Sequence, residues 1–173
     1  MKKIFTLLAL SVVMLMSGCA TNVSVIPADQ NKQQQAMSFN TNPKAAKVYF
    51  VGGKTGNMIK TSMPGGAILF IDGIRVGQID KDDVMVFDLK PKQYSFAWQY
   101  PSGDSQMQFL QRDVKAGDIV ILEATWNTGG AGLGFPGMMA SPAKYELKET
   151  LDRTLVMGKR VIVPQSCPNT ICE

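Results

Sequence analysis

The sequence contains no histidine. That absence excludes Ser-His-Asp and Cys-His nucleophile activation, imidazole metal ligation and the commonest proton shuttle near neutral pH. Charge is scarce as well: 18 Lys and Arg against 14 Asp and Glu leave +4 on 173 residues, too little and too scattered for a nucleic-acid footprint. The longest apolar run, Ile4 to Met16, holds thirteen residues, short of the about 20 that a spanning helix needs. What remains is a chain that is 45% hydrophobic, enough to exclude wholesale disorder and to fill the core of one domain.

The first residues read as an address. Met1-Lys2-Lys3 is a basic n-region, and Ile4 to Met16 has the length of a signal-peptide h-region. The segment Leu15-Met16-Ser17-Gly18-Cys19 resembles the lipobox of bacterial lipoproteins. The resemblance implies a cleaved signal peptide over 1–18, with Cys19 becoming the mature N-terminus. Its thiol would carry diacylglycerol as a thioether, with further fatty acyl groups such as palmitate. The resemblance also implies that Ala20, carrying no charge, permits sorting to the outer membrane, with the body on the periplasmic face and the cell surface left open. An uncleaved anchor is the alternative, because no charge lies between Lys3 and Asp29. Cleavage would remove Lys2 and Lys3 and leave a nearly neutral mature chain, so no basic patch argues for a nucleic-acid partner.

Residues 19–45 are expected to be the lipidated cysteine and a flexible tether, given their Asn, Gln, Ser and Thr content and the Gln33-Gln34-Gln35 run. A sandwich domain is expected over 46–163. β-branched and aromatic runs recur every eight to twelve residues, with turn chemistry between them. They begin at Lys47-Val48-Tyr49-Phe50-Val51. Ala67 to Ile71 and Ile74 to Ile79 flank Asp72-Gly73, which predicts a type I′ hairpin because both central positions need positive φ. Val84 to Leu89, Tyr94 to Tyr100, Gln106 to Val114 and Ile119 to Trp126 follow, with further strands over Lys144 to Lys148 and Arg160 to Val163. Helical character is read over Glu149 to Met157, stopped by Gly158. The expectation is an all-β fold: an antiparallel β-sandwich of about seven to eight strands with a short C-terminal helix.

Several constellations can be weighed for chemistry. Tyr94, Phe96, Trp98 and Tyr100 alternate along one strand face, which reads as core, with a carbohydrate platform as the competing reading. Cys167 and Cys172, in the tail 164–173, are expected to form a disulfide in an oxidising compartment. Ser141-Pro142-Ala143-Lys144 matches the S-x-x-K of penicillin-binding enzymes, but Lys54-Thr55-Gly56 precedes it instead of following it. Asp80, Asp82 and Asp83 lack the glycine and glutamate of a calcium loop and read as a solvated turn. The Gly-rich segment from Asn127 to Pro142 lacks a phosphate-cradle motif, and its Leu133, Phe135, Met138 and Met139 are candidates for contact with a partner or ligand. No metal site and no cofactor is expected. Asp88 and Glu123 would suggest glycosidase chemistry only if they met in a cleft.

The stretch from Lys47 to about Trp126 resembles an uncharacterised family of bacterial lipoprotein domains, with a sandwich module similar to the surface domains named for a Pro-Glu-Gly-Ala motif. The residues that carry the likeness are Ala46-Lys47-Val48-Tyr49-Phe50, Phe70-Ile71-Asp72-Gly73-Ile74-Arg75-Val76-Gly77, Leu89-Lys90-Pro91-Lys92-Gln93-Tyr94 and Val114-Lys115-Ala116-Gly117-Asp118. These are turn motifs, so they speak to fold and transfer no catalytic residue. The resulting expectation is a non-enzymatic, lipid-anchored envelope protein that acts as an interaction or assembly module. It would hold the membrane through its anchor and bind an unidentified envelope protein. The alternative is a carrier that binds lipid or glycan through the Gly-rich loop and the aromatic face.

Overall fold

The computed structural model describes residues 25–52, 66–99, 107–127 and 144–164. They form an all-β sandwich. In chain order the elements are β1 (Val25–Pro27), α1 (Gln30–Met37), β2 (Ala46–Gly52), β3 (Ala67–Ile71), β4 (Ile74–Ile79), β5 (Asp83–Leu89) and β6 (Lys92–Gln99). They continue with β7 (Gln108–Val114), β8 (Ile119–Asn127), β9 (Lys144–Thr150), a single 3-10 turn (Arg153–Leu155) and β10 (Arg160–Pro164). One sheet has the order β1-β10-β5-β2-β8-β9, the other β4-β3-β6-β7. Most pairings are antiparallel, as the turn chemistry predicts, but β2 lies parallel to β8 and β10 parallel to β5. The described residues hold ten strands against the expected seven to eight. The excess includes β1, which lies in the stretch read as tether.

Alternation fills the space between the sheets. Val48 and Phe50 of β2, Met85 and Phe87 of β5, and Val120 and Leu122 of β8 meet Leu69, Ile71, Tyr94, Phe96 and Trp98 of the smaller sheet. Phe50 touches Phe96 edge-on across the layers, ring centroids 5.7 Å apart, a favoured aromatic geometry. The face of β6 carrying Tyr94, Phe96 and Trp98 is therefore core. This removes it as a glycan platform; Tyr100 lies outside the described residues.

The β3–β4 hairpin turns as its dipeptide predicts, with Asp72 at φ 50° and Gly73 at φ 77°. The Asp72 carboxylate accepts the Ser95 N–H at 2.9 Å and pairs with the Lys92 ammonium at 2.8 Å. Partial burial pushes its pKa upward, but the Lys92 and Ser95 contacts outweigh that and leave it below the usual carboxylate value. A carboxylate depressed in the folded state stabilises above its unfolded pKa and loses that stabilisation as pH falls through the folded one. Asp72→Asn keeps the left-handed backbone tolerable and keeps an acceptor for Ser95. The variant is expected to be less stable than wild type by under about 1 kcal/mol near neutral pH. The difference should close below pH 4, as followed by urea unfolding across pH.

Two sequence readings need correction. The helix expected over Glu149 to Met157 is not one: β9 runs to Thr150, opposite Ile121, and only the 3-10 turn follows. Pairing with Ile121 and Leu122 of β8 holds Thr150 and Glu149 extended, which takes the first two residues from the expected helix and leaves too short a stretch for more than the 3-10 turn. Gly158 does end the turn, at φ 76°. The stretch read as a tether, 19–45, contains β1 and α1. Asp29 caps α1 by accepting the Lys32 N–H at 2.8 Å. The helix is retained because the outer face of the larger sheet is apolar. Ala36, Tyr49, Val51, Val84, Ile121, Val156 and Val161 form a second core, flanked by Met37, Phe39 and Leu155.

Strand direction gives the sandwich two unlike ends. Gly52, Asp83, Gln99, Asn127 and Lys144 lie at one end, so the segments 53–65, 100–106 and 128–143 all leave from and return to it. The tight turns at 72–73, 90–91 and 115–118 lie at the other. β1 starts toward that turn end, because Val25 pairs with Pro164 and β10 runs alongside β5 toward Leu89.

Candidate functional site

On the outer face of the larger sheet, a cleft of about 310 Å³ separates α1 from β2, β5 and β10. Its lining includes Lys32 and Gln35 from the helix, Lys47 from β2, Asp88 from β5, and Val161 and Val163 from β10. Lys47 and Asp88 are register partners in the antiparallel β2–β5 pair, so both project to the same face. Lys47 is 9% exposed, and its ammonium donates to the Gln35 carbonyl at 3.5 Å. An ammonium has three donors; the other two find no acceptor among the described residues. Asp88 is exposed at the rim, with no cation within ion-pair distance of its carboxylate among the described residues. Beneath the helix, the Tyr49 hydroxyl donates to the Ala36 carbonyl at 2.7 Å. Burial, reinforced by the negative charge of Asp88, raises the Tyr49 pKa well above the ordinary tyrosine value. The cleft thus offers two amines and one carboxylate on an apolar floor.

A second polar cluster sits at the loop end. Asp83 is buried and pairs with Arg160 at 2.8 Å, while Asp80 N–H donates to Asp83 at 3.3 Å. The Lys159 ammonium donates to the carbonyls of Gly52 and Lys81. Of the three acidic residues, Asp80 and Asp82 are exposed as a solvated turn requires, whereas Asp83 is a structural anchor for β10. Its partners are used up by folding, and nothing is offered to a ligand. Among the described residues no group of His, Cys, Asp and Glu is placed to hold a metal.

The glycosidase geometry does not form. Asp88 pairs with Lys47 and Glu123 with Val51, four residues farther along β2 and on its opposite side. The two backbones are therefore roughly 16 Å apart, from about 3.3 Å per residue and about 4.8 Å per strand. Glu123 is instead bound to Lys148 at 3.2 Å. Cys19, expected to carry lipid, the cysteines Cys167 and Cys172, and the partner or ligand candidates Leu133, Phe135, Met138 and Met139 all lie outside the described residues. The cleft is not legible in the sequence, because Lys32 and Gln35 fall in the polar stretch whose composition predicts a tether. The available signal was Asp29 as an N-cap ahead of Gln, Lys, Ala and Met, all good helix formers. No protein-family model matches the chain, and no curated protein matches it either.

Proposed function

We propose that the chain is a lipid-anchored protein of the bacterial envelope, acylated on Cys19 and sorted to the outer membrane, whose sandwich is a non-catalytic interaction module. The observation that carries this reading beyond the signal-like N-terminus is the polarity of the fold. β1 starts only six residues after Cys19 and toward the turn end. Six residues reach at most about 22 Å when fully extended. An anchor on Cys19 would therefore hold the turn end close to the lipid surface, in place of the longer stand-off that a flexible tether would give. The Gly-rich segment 128–143, with Leu133, Phe135, Met138 and Met139, is attached at the opposite end, where a partner across the periplasm would be met. The carrier reading loses half its site, since the aromatic face it needs lies in the core.

Cys19→Ala tests the anchor. The variant is expected to take up no fatty-acid label, to keep residues 1–18, and to be lost from the outer-membrane fraction, since only the thiol can form the thioether. A wild-type chain that itself keeps residues 1–18 and takes up no label would instead favour an uncleaved span.

A further inference from the structure

We propose that the cleft between α1 and the sheet takes the headgroup of an amine-bearing phospholipid, with the phosphodiester against Lys32 and Lys47 and the ammonium against Asp88. The proposal rests on the lipid-anchored reading and names what that anchored domain does with the bilayer beside it. Three observations lead to it. The first is position: Lys47 and Asp88 lie one register pair from the turn end of their strands, the end where β1 arrives. With Val25 only six positions after Cys19, the cleft sits within reach of the leaflet that would hold the anchor, at a high effective concentration of lipid.

The second is charge. Lys32 is exposed at the helix edge of the cleft, and Lys47 keeps donors to spare, so a phosphate meets two ammonium groups. Asp88 would repel a simple anion, but it is matched by a ligand that carries its own cation a few atoms from its phosphate. An ethanolamine headgroup has that arrangement, whereas a glycerol headgroup does not. The third is the floor. Val161 and Val163 line the cleft beside the polar groups, and the cleft holds about 310 Å³, room for a headgroup with part of its glycerol ester region.

The test uses the acylated mature protein carried on lipid discs of mixed ethanolamine and glycerol phospholipids, with nitroxide placed on one headgroup type at a time. Backbone amide signals are read by NMR. The expected result is broadening at Gln35, Lys47 and Val163, stronger for nitroxide on the ethanolamine headgroup, with Lys81 and Asp82 at the loop end left sharp. Lys32→Glu is expected to reduce the broadening about fivefold or more, the worth of one lysine near an anionic surface. Asp88→Asn is expected to erase the preference for ethanolamine over glycerol. Sharp cleft signals from protein that is acylated and disc-bound would overturn the headgroup site and leave the anchor reading standing. Broadening unchanged in both variants would mean proximity without a site, and would also overturn it. A chain whose intact mass shows no acyl groups and which does not join the discs would overturn the anchor reading, and the proposal with it.

Discussion

Trp98→Ala is expected to lower unfolding stability by about 3–5 kcal/mol, the range for deleting a buried aromatic, out of a total of about 5–15 kcal/mol for a domain. Trp98 is fully buried and lies opposite Leu69 in the β3–β6 register. Its indole N–H reaches across the layers to donate to the Glu146 carbonyl of β9 at 3.1 Å. Truncation therefore opens a cavity and cuts a bond between the two sheets. Chemical denaturation of wild type, Trp98→Ala and Trp98→Phe separates the two effects, because phenylalanine fills most of the volume and forfeits only the bond, worth about 1 kcal/mol. An unchanged midpoint for Trp98→Ala would contradict the burial and return this face to the surface.

Tyr49→Ala is expected to be as costly, about 3–5 kcal/mol, although Tyr49 lies outside the sandwich interior. Its ring is fully buried on the outer face of β2, packs at 5.1 Å against Phe39, and supports Ala36 of α1. Losing it should free the helix, so amide exchange across 30–37 is expected to rise with the loss of global stability. Tyr49→Phe removes only the hydroxyl bonded to Ala36 and should cost about 1 kcal/mol. This pair also fixes an alkaline response. A group whose pKa is raised by folding stabilises below its unfolded value and loses that contribution as pH rises above it. For Tyr49 the loss begins near the ordinary tyrosine value of 10.0 and continues upward. The wild type should weaken more steeply than Tyr49→Phe above pH 10, as measured by denaturant unfolding.

The strands were legible because their signals are local. Ala67 to Ile71 and Ile74 to Ile79 match β3 and β4 to the residue, and Asp72-Gly73 adopts the two positive φ values that its composition requires. Tyr94, Phe96 and Trp98 announced their burial by alternation, and Gly117, at φ 82°, marks the turn expected at Ala116-Gly117-Asp118. The helix and the cleft were not legible in the same way. Gln30 to Met37 carries little apolar mass, and only Ala36 of it is buried, so no amphipathic period betrays it. Its reason to fold is the patch around Tyr49 and Val84, contributed by β2, which follows after a loop, and by β5, far along the chain. Likewise nothing near Asp83 in the sequence distinguishes it from Asp80 and Asp82; Arg160, brought alongside by a parallel strand pairing, makes the difference.

By itself, the sequence determined the class of fold, most of the strands, the β3–β4 hairpin turn and the sandwich core, because side-chain alternation and backbone steric preference act over a few residues. It also holds the signal-like and lipobox-like residues from which an anchor at Cys19 is proposed. Tertiary structure alone decided that residues 25–37 fold onto the larger sheet, that Lys32, Lys47 and Asp88 share one cleft, and that Val25 lies toward the opposite end of the sandwich from Asn127 and Lys144. Those outcomes depend on which strands lie side by side and in which direction, set by burial between residues distant in the chain.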